Sequence, residues 1–339
     1  MPTLILALET SCDETAAAVV EDGRIIRSSV VFSQMDMHAL YGGVVPEIAS
    51  RAHVEACDRV VDQALKEAGV TFRDLTALGV TQGPGLVGAL LTGVSCMKGL
   101  SFSTGLPLVP VHHIHGHICA NFLTHPELEP PFLCLVASGG HSHLFMVEDY
   151  TTFRLLGQTV DDAAGEAFDK AARVLSLPYP GGPKLDELAE NGDPLRFSLP
   201  RPHTEGKYDY SFSGLKTAFI NLVHGMEQRG ENLPKADLAA SFRHTLVEVL
   251  AEKAMLAARD YEVPALALAG GVSANRLLRR RLADLCSLEG IPFYTPSLPL
   301  CNDNGAMIAS AACYRYDAGV RAPLSLNADP SLRLVQPQG

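Results

Sequence analysis

A chain of 339 residues, 47% hydrophobic and 19% charged, has the length for one large or two medium domains and an ample core, which excludes a fibrous or disordered protein. Its formal net charge of −11 excludes sequence-independent nucleic-acid binding over the whole surface, because neutralising phosphates takes clustered Lys and Arg. The eight cysteines form no C-x-x-C pair, which excludes a zinc ribbon and suits reduced thiols; no apolar run resembles a signal peptide or spans a bilayer, so a cytoplasmic protein with no membrane part is expected.

Leu4 to Leu8 is a short apolar run that reads as a buried strand, and it stops at the polar loop Glu9-Thr10-Ser11-Cys12-Asp13-Glu14-Thr15. Ala16 to Val20 and Arg24 to Val31 follow as strands, with Glu21-Asp22-Gly23 as the turn between them. Apolar residues at helical spacing from Glu47 to Ala68 predict a helix opened by Pro46 and stopped by Gly69. A strand about Leu78 runs into the glycine turn Gln82 to Gly88, and Leu106 to Val111 is the strand that delivers the chain to His112-His113-Ile114-His115-Gly116-His117. Four imidazoles in six residues are dense for a chain with 12 His. On a helix, His113 and His117 at spacing four face one way, and His112 and His115 at spacing three form a competing pair. Imidazole suits zinc, iron, copper or nickel, and the plainer alternative is a helix start whose histidines cap backbone or lie on the surface. A zinc-protease helix is excluded, because Ile114 stands where that chemistry needs Glu.

The same grammar then repeats after a Pro-rich hinge at 125–131. Phe132 to Ala137 is a strand, Ser138-Gly139-Gly140-His141-Ser142 a small polar loop, His143 to Val147 a strand, and Phe153 to Leu156 a third. Two copies imply two related lobes and not a solenoid. Asp161 and Asp162 are expected to begin a helix carrying Glu166, Asp169, Lys170 and Arg173. The stretch at about 176–236, richest in Pro, Gly and polar residues over 191–214, reads as an irregular insertion. Asp237 to Tyr261 is a long core helix, and Val263 to Ala269 a buried strand ending in Gly270-Gly271-Val272-Ser273-Ala274-Asn275, with Ser273 as the expected cap of a helix over Arg276 to Leu288. A strand, glycines and a capped helix are the geometry in which a nucleotide meets backbone at a sheet's carboxyl edge. Arg279-Arg280-Arg281 reads as a solvated face or a phosphate contact; Ile291 to Tyr294 is the last strand and Ala306 to Tyr316 the closing helix.

Taken in order, the motifs resemble one family. Glu9 to Thr15, Gly42-Gly43-Val44-Val45-Pro46-Glu47, Gly83-Pro84-Gly85-Leu86, His113 to His117, Ser138-Gly139-Gly140-His141, Asp161 to Lys170, Tyr179-Pro180-Gly181-Gly182-Pro183, Ser211 to Lys216, Gly270 to Asn275 and Asp303-Asn304-Gly305 match the bacterial tRNA N6-adenosine threonylcarbamoyltransferases over nearly the whole chain. The resemblance implies an α/β, two-lobed, duplicated fold of the actin, Hsp70 and sugar-kinase kind (ribonuclease H-like), with an N-terminal lobe of 1–130 plus 306–339 and a C-terminal lobe of 131–305. It implies transfer of a threonylcarbamoyl group from threonylcarbamoyl-adenylate to N6 of adenosine 37 in tRNAs reading ANN codons, with release of AMP. By motif match, His113, His117 and Asp303 hold one divalent metal, a set that suits Fe2+ and also admits Zn2+. Val136, Ala137, Ser138, Gly139, Gly140, Asp169, Gly182, Asp186 and Asn275 hold the adenylate. Asp13 and Glu14 are the catalytic candidates that orient or deprotonate the acceptor amine. Implied partners are tRNA, a smaller paralogue of the same fold meeting the N-terminal lobe, a P-loop ATPase, and the synthase that supplies the adenylate. His115 stands where many members carry Glu and is expected to lie apart from the metal ligands; Ala137 and His143 also depart from the usual residues. A small-molecule kinase of this fold would need a different phosphate loop after the first strand, and a nucleotide-gated scaffold would leave His113, His117 and Asp303 without a task.

Overall fold

The computed structural model describes residues 2–334; Met1 and residues 335–339, assigned to the N-terminal lobe from sequence, lie outside the described residues. In chain order the elements begin β1 (Leu4–Glu9), β2 (Glu14–Glu21), β3 (Ile25–Ser33), α1 (Met35–Ala39), α2 (Pro46–Ala68), β4 (Ala77–Gly83), α3 (Val87–Thr104), β5 (Leu108–His112) and α4 (His113–Thr124). They continue with β6 (Phe132–Ala137), β7 (Ser142–Val147), β8 (Phe153–Gln158), α5 (Ala164–Val174), α6 (Gly181–Ala189), α7 (Ser213–Gln228) and α8 (Lys235–Asp260). Last come β9 (Leu266–Ala269), a 3-10 turn at Gly271–Ala274, α9 (Arg276–Glu289), β10 (Phe293–Tyr294), a 3-10 turn at Leu298–Leu300 and α10 (Gly305–Asp317).

The chain divides into two compact units. One holds the residues up to Pro130, Glu148–Phe153 and those from Pro296 onward; the other holds Pro131–Val147 and Arg154–Thr295. Each is built on a five-stranded sheet: β3-β2-β1-β4-β5 in the first and β8-β7-β6-β9-β10 in the second. The order is therefore the same in both copies. In the first sheet β1 pairs antiparallel with β2 and parallel with β4; in the second, β6 pairs antiparallel with β7 and parallel with β9. Short apolar runs become central strands because both faces are covered: Ile5 to Leu8 and Leu133 to Ala137 are fully buried. The first unit takes in residues from 296, so Asp303 falls in the same unit as the histidines, whereas the sequence division at 306 separates them.

Three local expectations give way. Asp161 and Asp162 precede α5 instead of starting it. The Asp161 carboxylate accepts from Ser211 Oγ (2.5 Å), Ser213 Oγ (2.7 Å) and the Phe212 amide (2.8 Å), while Asp162 pairs with Lys170 and Lys216. These bonds hold the segment as a loop against the start of α7. The 176–236 stretch is not one irregular insertion, since α6 and α7 lie within it; its longest irregular part is 190–212. Leu215, Phe219, Val223 and Met226 of α7 are buried at helical spacing, and that stripe outweighs the polar composition around it. Ser273 does not cap α9. Residues 271–274 form a 3-10 turn, and the cap is Asn275, whose Oδ1 accepts from the Leu278 amide at 2.9 Å.

α10 is buried from Gly305 to Cys313 and lies on the backbone of β2. A Cβ on Gly305 would stand 2.5 Å from the Ala17 carbonyl carbon and 2.6 Å from the Ala18 nitrogen, both rigid sheet atoms. We therefore expect Gly305→Val to lose about 1–3 kcal/mol of stability through overpacking. Chemical denaturation followed by circular dichroism measures it, and unchanged stability would contradict this packing.

Candidate functional site

The strand-to-helix junction sorts the four histidines. His112 ends β5 in an extended conformation and caps α4: its Nδ1 accepts from the Ile114 amide at 3.1 Å, and its Nε2 donates to the Leu332 carbonyl at 3.0 Å. His115 points elsewhere, giving its Nε2–H to the Tyr150 carbonyl at 2.9 Å and its ring edge to Phe153, and burial drives its pKa down to about 3. The competing His112/His115 pair is thereby dissolved. His113 and His117, one helical turn apart, stand edge to face with ring centroids 4.6 Å apart.

Asp303 meets this pair from far along the chain. Its Oδ1 lies 3.4 Å from His113 Nε2 and 3.2 Å from His117 Nε2. Asn304 caps α10 by accepting from the Met307 amide at 2.9 Å, and Gly305 allows the close approach to β2, so the Asp-Asn-Gly triplet divides into ligand candidate, cap and spacer. One donor atom from each of His113, His117 and Asp303 lies within 4.8 Å of the other two. Donors about 2.1 Å from one metal ion are about 3.0–3.4 Å apart at neighbouring corners of an octahedron or tetrahedron, which is the spacing seen. His117 is buried, and neither ring nitrogen has a hydrogen-bond partner among the described residues. An unsatisfied Nε2 on a buried imidazole is costly in a closed protein and ordinary beside an ion, and the His117 Nε2 is the nitrogen that faces Asp303. The donor set therefore fits a divalent transition metal.

Behind His113 stands a carboxylate that the sequence reading quoted within a motif without giving it a role. Glu9 ends β1 fully buried; its Oε2 accepts from Thr81 Oγ1 at 2.5 Å and lies 3.2 Å from His113 Nδ1, and its Oε1 accepts from the Ser11 amide. Ser11 Oγ adds a contact to Nδ1 at 3.1 Å. Burial alone would raise the Glu9 pKa, but attraction to His113 and these bonds outweigh it and hold it below the usual carboxylate range. The same pairing, with Asp303, lifts His113 against its burial to about 9. The readable signal was an acidic residue closing a fully buried strand.

Asp13 closes the loop that follows and Glu14 is the first residue of β2, both in the same unit and partly buried. Burial, then the charges of Asp303 and Asp13, push Glu14 up to about 9. The site thus gathers carboxylates whose repulsion raises Glu14 and which a cation would relieve.

The second unit brings the other candidates into a closed circuit of contacts. The Gly165 amide at the start of α5 donates to the Ser138 carbonyl at 3.1 Å, and the Glu166 amide to that of Gly139 at 3.2 Å. One turn along α5, Asp169 Oδ1 accepts from the Gly182 amide at 2.9 Å, with its pKa raised by burial. One turn along α6, Asp186 Oδ1 accepts from Asn275 Nδ2 at 2.9 Å. Gly270, with φ +85°, closes the circuit: a Cβ there would lie 2.4 Å from the Ala137 carbonyl oxygen. Within the glycine loop the Ser138 amide is spent on the His141 carbonyl (2.7 Å), whereas Gly139 and Gly140 are exposed. Val136 and Ala137 are fully buried in β6, so their side chains serve the sheet and not the loop. Arg243 was missed from sequence: it is buried on α8 and pairs with Asp186 (2.9 Å) and Glu190. It sits in a core stripe, and nothing in local spacing marks it. Of the basic run, Arg281 pairs with Glu248 and Arg279 donates to the Ser273 carbonyl, leaving Arg280 the exposed one.

Comparison with known proteins places this geometry. A family profile described as tRNA N6-adenosine threonylcarbamoyltransferase matches residues 25–310. Curated proteins of that name are similar to the chain throughout: one from Geobacillus kaustophilus is 54% identical over 333 residues, covering 98% of this chain and 97% of its own. Those from Moorella thermoacetica (53%) and Clostridium perfringens (51%) match 98% of this chain, and 97% and 98% of theirs. Among solved structures, T. kodakarensis HypF aligns at TM-score 0.62 and 16% identity over 94% of this chain and 49% of its own. Component A of the Acidaminococcus fermentans (R)-2-hydroxyglutaryl-CoA dehydratase aligns at TM-score 0.53 and 15% identity over 94% and 98%. The fold is that shared by actin, Hsp70 and sugar kinases. Two copies of one sheet order, a paired-histidine and aspartate cluster in the first, and full-length identity above one half to curated relatives carry one conclusion: the chain belongs to the tRNA N6-adenosine threonylcarbamoyltransferase family, a family of tRNA-modifying transferases.

Proposed function

We propose that the protein transfers the threonylcarbamoyl group of threonylcarbamoyl-adenylate to N6 of adenosine 37 in tRNAs reading ANN codons, releasing AMP. The observation that carries the chemistry is the convergence of one donor atom each from His113, His117 and Asp303, with the buried His117 Nε2 facing Asp303 and left without a hydrogen bond. These three residues would hold one divalent ion; two imidazoles and one carboxylate with open positions suit Fe2+, and Zn2+ takes the same donors. When bound, the ion supplies Lewis acidity and a template for the donor. Glu9 would fix His113 in the Nδ1–H tautomer, leaving Nε2 free to ligate.

The donor is already activated, with its carbamoyl carbon on a phosphate oxygen, whereas an exocyclic adenine amine is a weak nucleophile. Holding the two together and compensating charge on the leaving phosphate is then the main task. The Gly139 and Gly140 amides, exposed beyond a turn that the Ser138 amide closes, would meet the phosphate. Asp169 with Gly182, and Asp186 with Asn275, would take the nucleoside, with Arg243 balancing the Asp186 charge. Asp13 and Glu14 would orient the amine and accept its proton. Engagement of Asp303 by a cation removes one of the repulsions that raise Glu14, which favours its ionised form.

A net charge of −11 calls for help in gathering tRNA. The smaller paralogue, the P-loop ATPase and the adenylate-forming synthase are the partners this reading includes. The paralogue is assigned to the α1–α2 side of the first unit, where Leu40 (83%), Tyr41 (62%) and Val54 (67%) are exposed. Among the described residues no helix is long and apolar enough to cross a membrane, in keeping with a cytoplasmic site of action.

Reconstitution with these partners, threonine, bicarbonate, ATP and unmodified tRNA, read by mass spectrometry of nucleosides, tests the reaction: threonylcarbamoyladenosine is expected, and its absence with every partner active refutes it. His113→Ala should empty the metal site and abolish transfer; full metal content in that variant would remove His113 from the ligand set. Glu14→Ala should keep metal and donor binding and slow transfer by about 10²-fold or more, as loss of a general base does; an unchanged rate would end that role. Metal affinity should also depend on pH. Because His113 holds its proton up to about 9 in the metal-free protein, binding must release that proton. Apparent affinity should therefore rise by about tenfold per pH unit between pH 7 and 9 and level off above. A flat profile in metal titrations across that range would contradict the Glu9–His113–Asp303 electrostatics.

A further inference from the structure

Behind the loop that ends at Asp13, ahead of Glu14, lies a buried polar chain with no part in the chemistry above. His38, Gln34, His53 and Thr15 are each at most 1% exposed. The Val45 amide donates to His38 Nδ1 at 3.3 Å, so the proton of that neutral ring is on Nε2, which donates to Gln34 Oε1 at 3.2 Å. That bond orients the Gln34 amide, turning its Nε2 toward the Ala49 carbonyl and His53 Nδ1, each at 3.4 Å. His53 Nε2 lies 3.0 Å from the Cys12 carbonyl, which can only accept, so Nε2 carries the proton and Nδ1 is the acceptor. Thr15 Oγ1 accordingly donates to Nδ1 at 2.7 Å. Every donor faces an acceptor, and each assignment forces the next.

The chain ends on the backbone that matters. The Cys12 carbonyl is held by the His53 side chain, and the adjoining Asp13 carbonyl accepts from the backbone N–H of Gln34 at 3.0 Å. The two peptides flanking Asp13 are thus held differently, one by the His53 ring and the other by backbone pairing, and Glu14 enters β2 directly after them. Building on the assignment of Asp13 and Glu14 in the reaction, we propose that His53 is a positioning residue for the transfer step. Its Nε2–H bond to the Cys12 carbonyl sets where the Asp13 and Glu14 carboxylates stand. The metal ligands lie on other elements, α4 and the segment before α10, so the effect falls on transfer and not on metal loading.

Two near-isosteric replacements separate this from a general packing role. A Gln amide reaches as far as Nε2 and can still donate to the Cys12 carbonyl; an Asn amide reaches only as far as Nδ1 and leaves that carbonyl unpaired. In the reconstituted system, His53→Asn is expected to lower kcat by on the order of tenfold or more, because the Cys12 peptide loses its anchor and the carboxylates that follow it lose their place. Metal content and donor KM should stay as in the parent protein, the unfolding temperature of His53→Asn should fall only modestly, and His53→Gln should remain within about threefold of the parent kcat, since it keeps the bond. Thr15→Val, which frees the ring to turn, should reproduce the kcat loss if His53→Asn does not fold. Equal kcat for the Asn and Gln variants, or loss of metal in either, overturns the proposal. Glu14→Ala, run alongside, tells the two readings apart: wild-type transfer by that variant removes the carboxylate role itself, whereas an inactive Glu14→Ala with a fully active His53→Asn removes only the positioning role of His53.

Discussion

A carboxylate buried at the end of the first strand is the constraint on which the His113–His117–Asp303 cluster depends. Glu9 is fully enclosed, and an ionised group there is tolerated only because three donors reach it: the Ser11 amide, the Thr81 hydroxyl and the His113 imidazole. Those bonds do more than neutralise a cost. The first turns the chain sharply after β1, the second ties β1 to β4, and the third fixes which nitrogen of His113 faces Asp303. One satisfied charge thus links the loop after β1, the sheet and the start of α4.

The two units use the same order of strands for different work. In the first, the sheet's carboxyl ends deliver side chains: Glu9 from β1, and the histidines just past β5. In the second, the corresponding ends deliver backbone, from the glycine loop after β6 and the Gly270 turn after β9. On the function proposed above, the first unit would present imidazole and carboxylate side chains to a cation and the second backbone amides to an anion. Nothing about the fold requires it. The choice lies in whether a strand ends in Glu-Thr-Ser or in Ser-Gly-Gly.

Charge balance runs through the first unit as a single problem. After burial, the charges of Asp303, Asp13 and Glu9 raise the proton affinity of Glu14, whereas at Glu9 the attraction of His113 opposes the effects of burial and of Asp303. The neutral His38–Gln34–His53 chain is the counterpart: it holds the same loop with directed hydrogen bonds and adds no charge to a crowded site. Buried polar groups of that kind contribute rigidity when every member is satisfied.

Much of this was legible from local pattern. Strand and helix spans follow from burial period, which is a property of neighbouring residues, and the repeated strand–loop–strand grammar revealed the duplication. The i, i+4 relation of His113 and His117 is likewise local, though it left His112 and His115 open until the junction was seen to spend His112 as a cap and turn His115 toward Tyr150. What spacing could not supply were meetings between residues far apart in the chain: Asp303 with the histidines, Glu9 behind His113, Arg243 beneath Asp186, His53 beneath Cys12. The pairing of Asp303 with His113 and His117 came from family resemblance alone. The start of α5 and the cap of α9 went wrong for the same reason, since Asp161 is claimed by Ser211 to Ser213 and the 3-10 turn hands the cap to Asn275. Sequence by itself determined the elements and the chemical types available at their ends. Only the tertiary structure decided which of those groups share a partner, because a hydrogen bond or ligand set is a statement about distance in space, and one chain of side-chain preferences is compatible with many such distances until the core is packed.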